Sequence, residues 1–414
     1  MPTTTSETDN IYAWWRLVIS LSLATIGGIG AWASVVALPT IQIEFGIDRA
    51  GASLPYTVTM IGFAIGGVVM GRLADRRGIA TPLLIGAVSL GGGFVLAALA
   101  GSYLQFLIVQ FLLIGFLGSS ATLGPLIADV SQWFHRKRGI AVAIVASGNY
   151  LAGTIWPPFL QQAISTYGWR PTFIAIGALC ICTMLPLALL LRRRPIYQDQ
   201  PSPASQPSGA HGILERPAFL QPLLVLAGLA CCVAMSMPQV HIVAYCGDLG
   251  FGPARGAEML SLMLGCGVVS RLVFGGIADR IGGTGTLLIG SLLQCLSLIF
   301  YMPFDGLMSL YIVSALFGLA QGGIVPSYAL IIRDYFPAKE AGFRISLVIT
   351  ATVLGMALGG WMSGKIFDLT GSYQAAFLNG IVWNLLNLAI AFWLILNRTQ
   401  RLTRRDMVSA TKSY

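Results

Sequence analysis

Runs of about twenty consecutive apolar residues recur along the chain, without the two-residue alternation of a membrane strand, and each can cross a hydrocarbon layer of roughly 30 Å as a helix. They predict spans at 13–36, 56–70, 82–100, 106–128, 139–160 and 172–191, then at 222–245, 259–277, 286–302, 310–332, 345–361 and 375–396. Between the sets, residues 192–217 carry Arg192, Arg193 and Arg194, followed by Pro201, Ser202, Pro203, Ser205, Pro207 and Ser208. No packed core uses such a stretch. The pattern predicts an all-α membrane protein of twelve transmembrane helices in two six-helix bundles. Residues 1–191 form one half, 192–217 a cytoplasmic linker, 218–397 the other half and 398–414 a cytoplasmic tail.

An internal repeat gives this division an origin. Gly71-Arg72-Leu73-Ala74-Asp75-Arg76-Arg77-Gly78, followed by Leu83-Leu84-Ile85-Gly86, returns as Gly275-Gly276-Ile277-Ala278-Asp279-Arg280-Ile281-Gly282, followed by Leu287-Leu288-Ile289-Gly290, always 204 residues later. A weaker echo aligns Trp133-Phe134-His135-Arg136-Lys137 with Tyr335-Phe336-Pro337-Ala338-Lys339. Two parallel six-helix repeats with a site at their interface are a transporter plan.

Composition sharpens the choice of solvent. Of the 414 residues, 56% are hydrophobic and 10% charged, against about a quarter charged in a soluble domain. The 49 glycines suit close helix crossings. The net charge of +9 reports topology: with both termini inside, 20 of the 25 Lys and Arg residues fall on the cytoplasmic side, four (Arg49, Arg170, Arg255, Lys365) outside and one (Arg271) within a span. That distribution speaks against nucleic acid as a partner. The seven cysteines have neither pairing nor metal-ligand spacing and read as small buried hydrophobes. No phosphate loop, metal set or catalytic triad pattern is present, so neither cofactor, metal site nor enzyme activity is expected.

The repeated Asp-Arg loop resembles the signature of the major facilitator superfamily, and with the twelve spans and central linker the resemblance covers nearly the whole chain. It implies the fold of that family and a charge network that latches the cytoplasmic helix ends in the outward-open state. Those roles would fall on Asp75, Arg76, Asp279 and Arg280, with Asp129 and Arg138.

Arg271 carries the most specific chemical signal. It lies well inside the eighth span, where a cation is costly unless it faces a cavity and a partner. None of the 16 Asp and Glu residues lies in the middle of a span. A guanidinium without a protein anion suits a substrate anion, held by two parallel hydrogen bonds.

Here the chain resembles a narrower group, the monocarboxylate transporter family and its bacterial relatives that carry oxalate, formate or lactate, with the bacterial lactate carriers as the best overall likeness. The resemblance rests on Ser270-Arg271-Leu272-Val273-Phe274-Gly275 and on Trp133-Phe134-His135-Arg136-Lys137-Arg138-Gly139-Ile140-Ala141 leading into Ser147-Gly148-Asn149. It implies that Arg271 binds the substrate carboxylate. Two departures stand out. Animal members have an aspartate four residues before that arginine, where this chain has Gly267, and their first-span lysine has no counterpart between Ala31 and Thr40.

Any coupled proton therefore needs another carrier. His241, the one histidine within a predicted span, is the candidate, and packing is its alternative role. Trp32, Phe63, Asn149, Tyr150, Gln321 and Tyr328 lie at depths suited to substrate contact, Asn149 and Gln321 foremost because buried amides require partners. The expected function is a monomeric secondary transporter in the cell membrane, moving lactate or pyruvate with a proton by alternating access. An oxalate/formate-type exchanger is one alternative, although a dianion favours a second cation and Lys365 sits at an external end. A carboxylate sensor that does not transport is another, although the longest internal segment is only the linker.

Overall fold

In the computed structural model the chain is helical throughout its described residues, 10–134, 137–193, 217–336 and 338–412. Side chains of Arg138, 217–218, 338–339, Ala341 and 397–412 lie outside the description, as do linker residues 194–216 and His135, Arg136 and Pro337 of the weaker repeat. The first half contains α1 (Ile11–Val36), α2 (Arg49–Arg77), α3 (Ala80–Ala98), α4 (Tyr103–Trp133), α5 (Gly139–Tyr167) and α6 (Trp169–Leu190). The second contains α7 (Phe219–Asp248), then a continuous stretch over Pro253–Phe300, then α10 (Leu307–Tyr335), α11 (Gly342–Thr370) and α12 (Tyr373–Leu396).

A straight helix of 48 residues would run for about 72 Å, over twice the hydrocarbon thickness. Gly282 resolves this, because at φ 78°, ψ 173° it leaves the helical region and divides the stretch into α8 (253–281) and α9 (283–300). Eleven apolar helices thus supply twelve spans. Gly78 turns the corner between α2 and α3 in nearly the same conformation, φ 85° and ψ 162°. The two glycines are the last residues of the repeated loop, and only glycine adopts this backbone without strain.

Each bundle has its own apolar core. One is formed wholly by the first half, with Phe94, Phe106, Trp169 and Phe173 packed edge to face within it. The other centres on α7, α8, α10 and α12 but also takes in Trp32, Tyr56 and Tyr150 from the first half. Glycines set the crossings: a Cβ on Gly62 of α2 would stand 2.5 Å from the Phe111 carbonyl of α4, and one on Gly355 of α11 would stand 2.4 Å from the Leu229 carbonyl of α7.

The first half also contains a buried charge pair that corrects the charge map. Arg16 belongs inside α1 rather than to the cytoplasmic surface; it is 1% exposed, and Asp129 of α4 is 7% exposed. Its Nε and Nη2 donate to the two carboxylate oxygens at 2.7 Å each, Nη2 also reaches the Leu191 carbonyl at 3.2 Å, and the guanidinium lies 4.7 Å from the Trp133 ring centre. The carboxylate of Asp129 is therefore committed within its own half.

Between the halves, the external side is sealed. Asp368 of α11 caps the start of α2, accepting from the backbone N–H groups of Arg49 and Ala50 at 2.8 Å. Arg49 in turn holds Asp248 of α7 through Nη2 at 2.8 and 2.9 Å and lies 4.9 Å from the Phe367 ring centre. Below this clamp, Thr57 donates to the Ala357 carbonyl at 3.0 Å. At the cytoplasmic side Asp75, Arg76, Asp279 and Arg280 are exposed. A groove of about 300 Å³ runs along α2 there, lined by Val69, Arg72, Leu73 and Arg76. The described conformation is closed on its external side.

Two outcomes follow. Asp129→Asn leaves the Arg16 cation uncompensated and should lower unfolding stability in detergent by about 3 kcal/mol or more, whereas Arg16→Met with Asp129→Leu should recover most of the loss. Arg49→Ala should unseal the external side: in a cysteine-free background, Thr57→Cys should react with a membrane-impermeant maleimide added outside only when Arg49 is also replaced.

Candidate functional site

The site is built where three helices are interrupted or closely crossed. In α10 the helix breaks between Gln321 and Ile324, at Gly322 and Gly323. A Cβ on Gly322 would lie 2.5 Å from the Arg271 backbone nitrogen, and one on Gly323 would lie 2.3 Å from the Phe274 ring. The missing side chains let α8 press against the break. Ser270 locks the crossing: its hydroxyl donates to the Leu319 carbonyl at 2.5 Å and accepts from the Gly322 N–H at 3.1 Å. Gln321 is thereby held beside Gly267 and Arg271, which are one helical turn apart on α8.

From the first half, α5 supplies the facing wall. Its helical bonding loosens at Ser147, between segments Arg138–Ala146 and Gly148–Tyr167. Nη1 of Arg271 donates to the Ala146 carbonyl at 2.9 Å, and the guanidinium lies 4.5 Å from the Tyr150 ring centre. The Nε of Arg271 is buried and has no hydrogen-bond partner. No carboxylate meets this cation among the described residues. An uncompensated guanidinium with an idle N–H, half-exposed at the seam between the halves, can receive a carboxylate.

At Gly267, where the family resemblance would put an aspartate, there is no room for a side chain. A Cβ on Gly267 would stand 2.5 Å from the Tyr150 ring and 3.4 Å from Nε2 of Gln321. The ring that stacks on Arg271 occupies the volume an aspartate would need. Gln321 is fully buried; its Oε1 accepts from Nε2 of Gln239 at 2.6 Å, while its own Nε2 has no partner.

The other expected residues divide. Trp32 donates through Nε1 to the Asn149 carbonyl at 3.3 Å and flanks Gly153, tying α1 to α5 beside the cluster. Asn149 is half-buried, and its side-chain amide makes no hydrogen bond among the described residues, with Oδ1 directed toward Gly28 at the interruption of α1. Phe63 is half-buried on α2 and has no ring partner among the described residues. Tyr328 stands apart: its hydroxyl donates to Asn387 Oδ1 at 2.9 Å within the second half, and the side chain is fully buried there.

His241 belongs to the external seal rather than to the Arg271 cluster. Its Nε2 faces the Gly360 carbonyl at 2.7 Å, and Nδ1 meets the Tyr373 hydroxyl at 3.1 Å. A carbonyl only accepts, so Nε2 carries the hydrogen and Nδ1 accepts from Tyr373. Tyr373 lies 5.9 Å from the Arg49 guanidinium, which links the imidazole to the clamp. Asp75, Arg76, Asp279 and Arg280 make no ion pair among the described residues, and the Arg138 side chain lies outside the description.

Sequence reasoning missed four elements of this arrangement: the Arg16 partner of Asp129, the Arg49 clamp, the Ala146 carbonyl and Gln239. Gln239 carried the same signal that singled out Gln321, an amide in an apolar run that requires a partner. The carbonyl carried none, because every residue has one.

Comparisons with known proteins agree with this fold. The Major Facilitator Superfamily profile matches residues 21–310 and 259–411. Monocarboxylate transporter 13 of Rattus norvegicus is 25% identical over 330 residues, 79% of this chain and 75% of its own length. The MFS transporter asaE of Aspergillus flavus is 26% identical over 316 residues, 75% of this chain and 69% of its own. Among solved structures, the nucleoside transporter NupG superposes with a TM-score of 0.71 at 13% identity, covering 92% of this chain and 99% of its own. A bacterial homolog of the human lysosomal transporter Spinster gives 0.69 at 16% identity, covering 94% and 98%. The chain belongs to the Major Facilitator Superfamily and is a multi-pass membrane transporter, not an enzyme.

Proposed function

We propose that the chain carries a small monocarboxylate of the lactate or pyruvate type, together with a proton, across the cell membrane by alternating access. The observation that carries this reading is Arg271: a cation at the seam of the two halves whose partners are a carbonyl and an aromatic face, with one N–H idle. A neutral carbonyl leaves the charge uncompensated, so a carboxylate is the better ligand in a poorly hydrated cleft. The rat relative, a monocarboxylate transporter by name, supports the same substrate class.

In this reading the substrate carboxylate binds the idle Nε edge of Arg271, while Nη1 keeps the Ala146 carbonyl of the other half. Asn149, Trp32 and Phe63 line the approach, and Gln321 contacts the acid itself. Asp75, Arg76, Asp279 and Arg280, joined by Arg138, form the cytoplasmic latch when the external clamp opens. The proton is carried at His241: protonation of Nδ1 turns an acceptor of the Tyr373 hydroxyl into a donor and disturbs the ring that lies beside Arg49. Exchange of a dicarboxylate for formate gains no support, because Lys365 is exposed at the external end of α11.

The test is uptake of labelled pyruvate and lactate by liposomes containing the purified chain, with an inward proton gradient imposed. Arg271→Gln should reduce kcat/KM by about 100-fold or more, the loss of charge-assisted hydrogen bonds, while the variant elutes and melts like the parent. Near-parental uptake by that variant would remove Arg271 from the role of carboxylate ligand.

A further inference from the structure

Two hydrogen-bond donors in the site are buried and idle, Nε of Arg271 and Nε2 of Gln321. They belong to residues packed on the same α8–α10 crossing, on which Gly322 touches the Arg271 backbone and Gln321 flanks Gly267. A buried polar group without a partner is costly, and in a binding cleft it marks where a ligand supplies the partner.

Gln321 alone would not define what that ligand offers. A primary amide can rotate by half a turn and present either its carbonyl oxygen or its NH₂. In the described arrangement Gln239 takes the oxygen. Its Nε2 donates to Gln321 Oε1 at 2.6 Å, and both side chains are buried, so the Gln321 oxygen is occupied and only its NH₂ remains. Arg271 has donors only. The Ala146 carbonyl beside it already accepts from Nη1.

We propose that Gln239 is a specificity-determining positioning residue: by fixing the Gln321 amide with NH₂ toward Gly267, it makes the site favour 2-oxo monocarboxylates over 2-hydroxy monocarboxylates. This rests on the reading of Arg271 as the carboxylate ligand. With the carboxylate on Arg271, the oxygen on the adjacent carbon meets the Gln321 NH₂. An oxo oxygen accepts and brings nothing else. A hydroxyl also accepts, but it brings a hydrogen that needs an acceptor of its own, and the Gln321 oxygen is taken. An acid with no oxygen on that carbon leaves Gln321 idle. The expected order is therefore pyruvate, then lactate, then propionate.

The experiment is competition against labelled pyruvate uptake by the full chain in liposomes, at one pH and without a gradient, using unlabelled pyruvate, lactate and propionate. For the wild type each step down that order should raise the half-inhibitory concentration about five-fold, the worth of one uncharged hydrogen bond. Gln239→Leu frees the amide to rotate and should bring pyruvate and lactate to within about two-fold of each other, with propionate still weakest. Gln321→Leu should erase the disadvantage of propionate. The selectivity ratios do not depend on how much protein is folded, and the wild-type order alone is decisive if a variant does not fold. Equal competition by pyruvate and lactate in the wild type, or an unchanged ratio in Gln239→Leu, would overturn the role of Gln239 while leaving monocarboxylate transport standing. Absence of uptake of any of the three acids would overturn the transport reading itself.

Discussion

A charge carried into a bilayer must be met by some other group, because no water is there to meet it, and this chain satisfies its cations in three ways. Arg16 is met completely, by a two-pronged carboxylate, a carbonyl and an aromatic face inside one half. Arg49 is met across the seam, by Asp248 of the other half and by the ring of Phe367. Among the described residues Arg271 is met by a carbonyl and the ring of Tyr150, with no carboxylate. The degree of compensation separates structure, closure and binding: a fully paired charge gains nothing from a further partner, whereas a charge held by a neutral carbonyl does.

Glycine makes these arrangements possible. At Gly78 and Gly282 it turns the chain at equivalent points of the two halves. At Gly322, Gly323 and Gly267 it serves instead by lacking a side chain, bringing α10 against α8 and leaving room for the Tyr150 ring. The same residue type therefore shapes both the symmetric frame and the asymmetric site. The points where helical bonding loosens, at Ser147 and at Gly322–Gly323, fall beside Arg271 while the backbone stays in the right-handed helical region.

The seal and the cluster are connected through α7, which carries Gln239 of the cluster and His241 of the seal two residues apart. In a helix such neighbours point to different faces, so one short segment of α7 addresses the substrate side and the external clamp separately. In the proposed cycle this places the proton site and the residue that orients Gln321 on a shared element without direct contact between them.

The sequence by itself determined the fold. Apolar runs of bilayer length, the repeat at 204 residues and the basic side of the loops follow from solvent and symmetry, which act on every residue of a span and leave a cumulative trace. It also determined Arg271, because a cation with no carboxylate at its depth is visible in one dimension. Partnerships between distant residues left no such trace. Arg16 sat near a predicted cytoplasmic end and looked like a topological charge, yet Asp129, 113 positions away, makes it a buried pair. Tyr328 and Gln321 looked alike as polar residues in one apolar run, but packing turns one toward Asn387 and leaves the other with an idle NH₂ beside Gly267. Only the tertiary structure decided which polar groups were already satisfied, because hydrogen-bond satisfaction depends on which helices cross and at what distance, a property that no single segment contains.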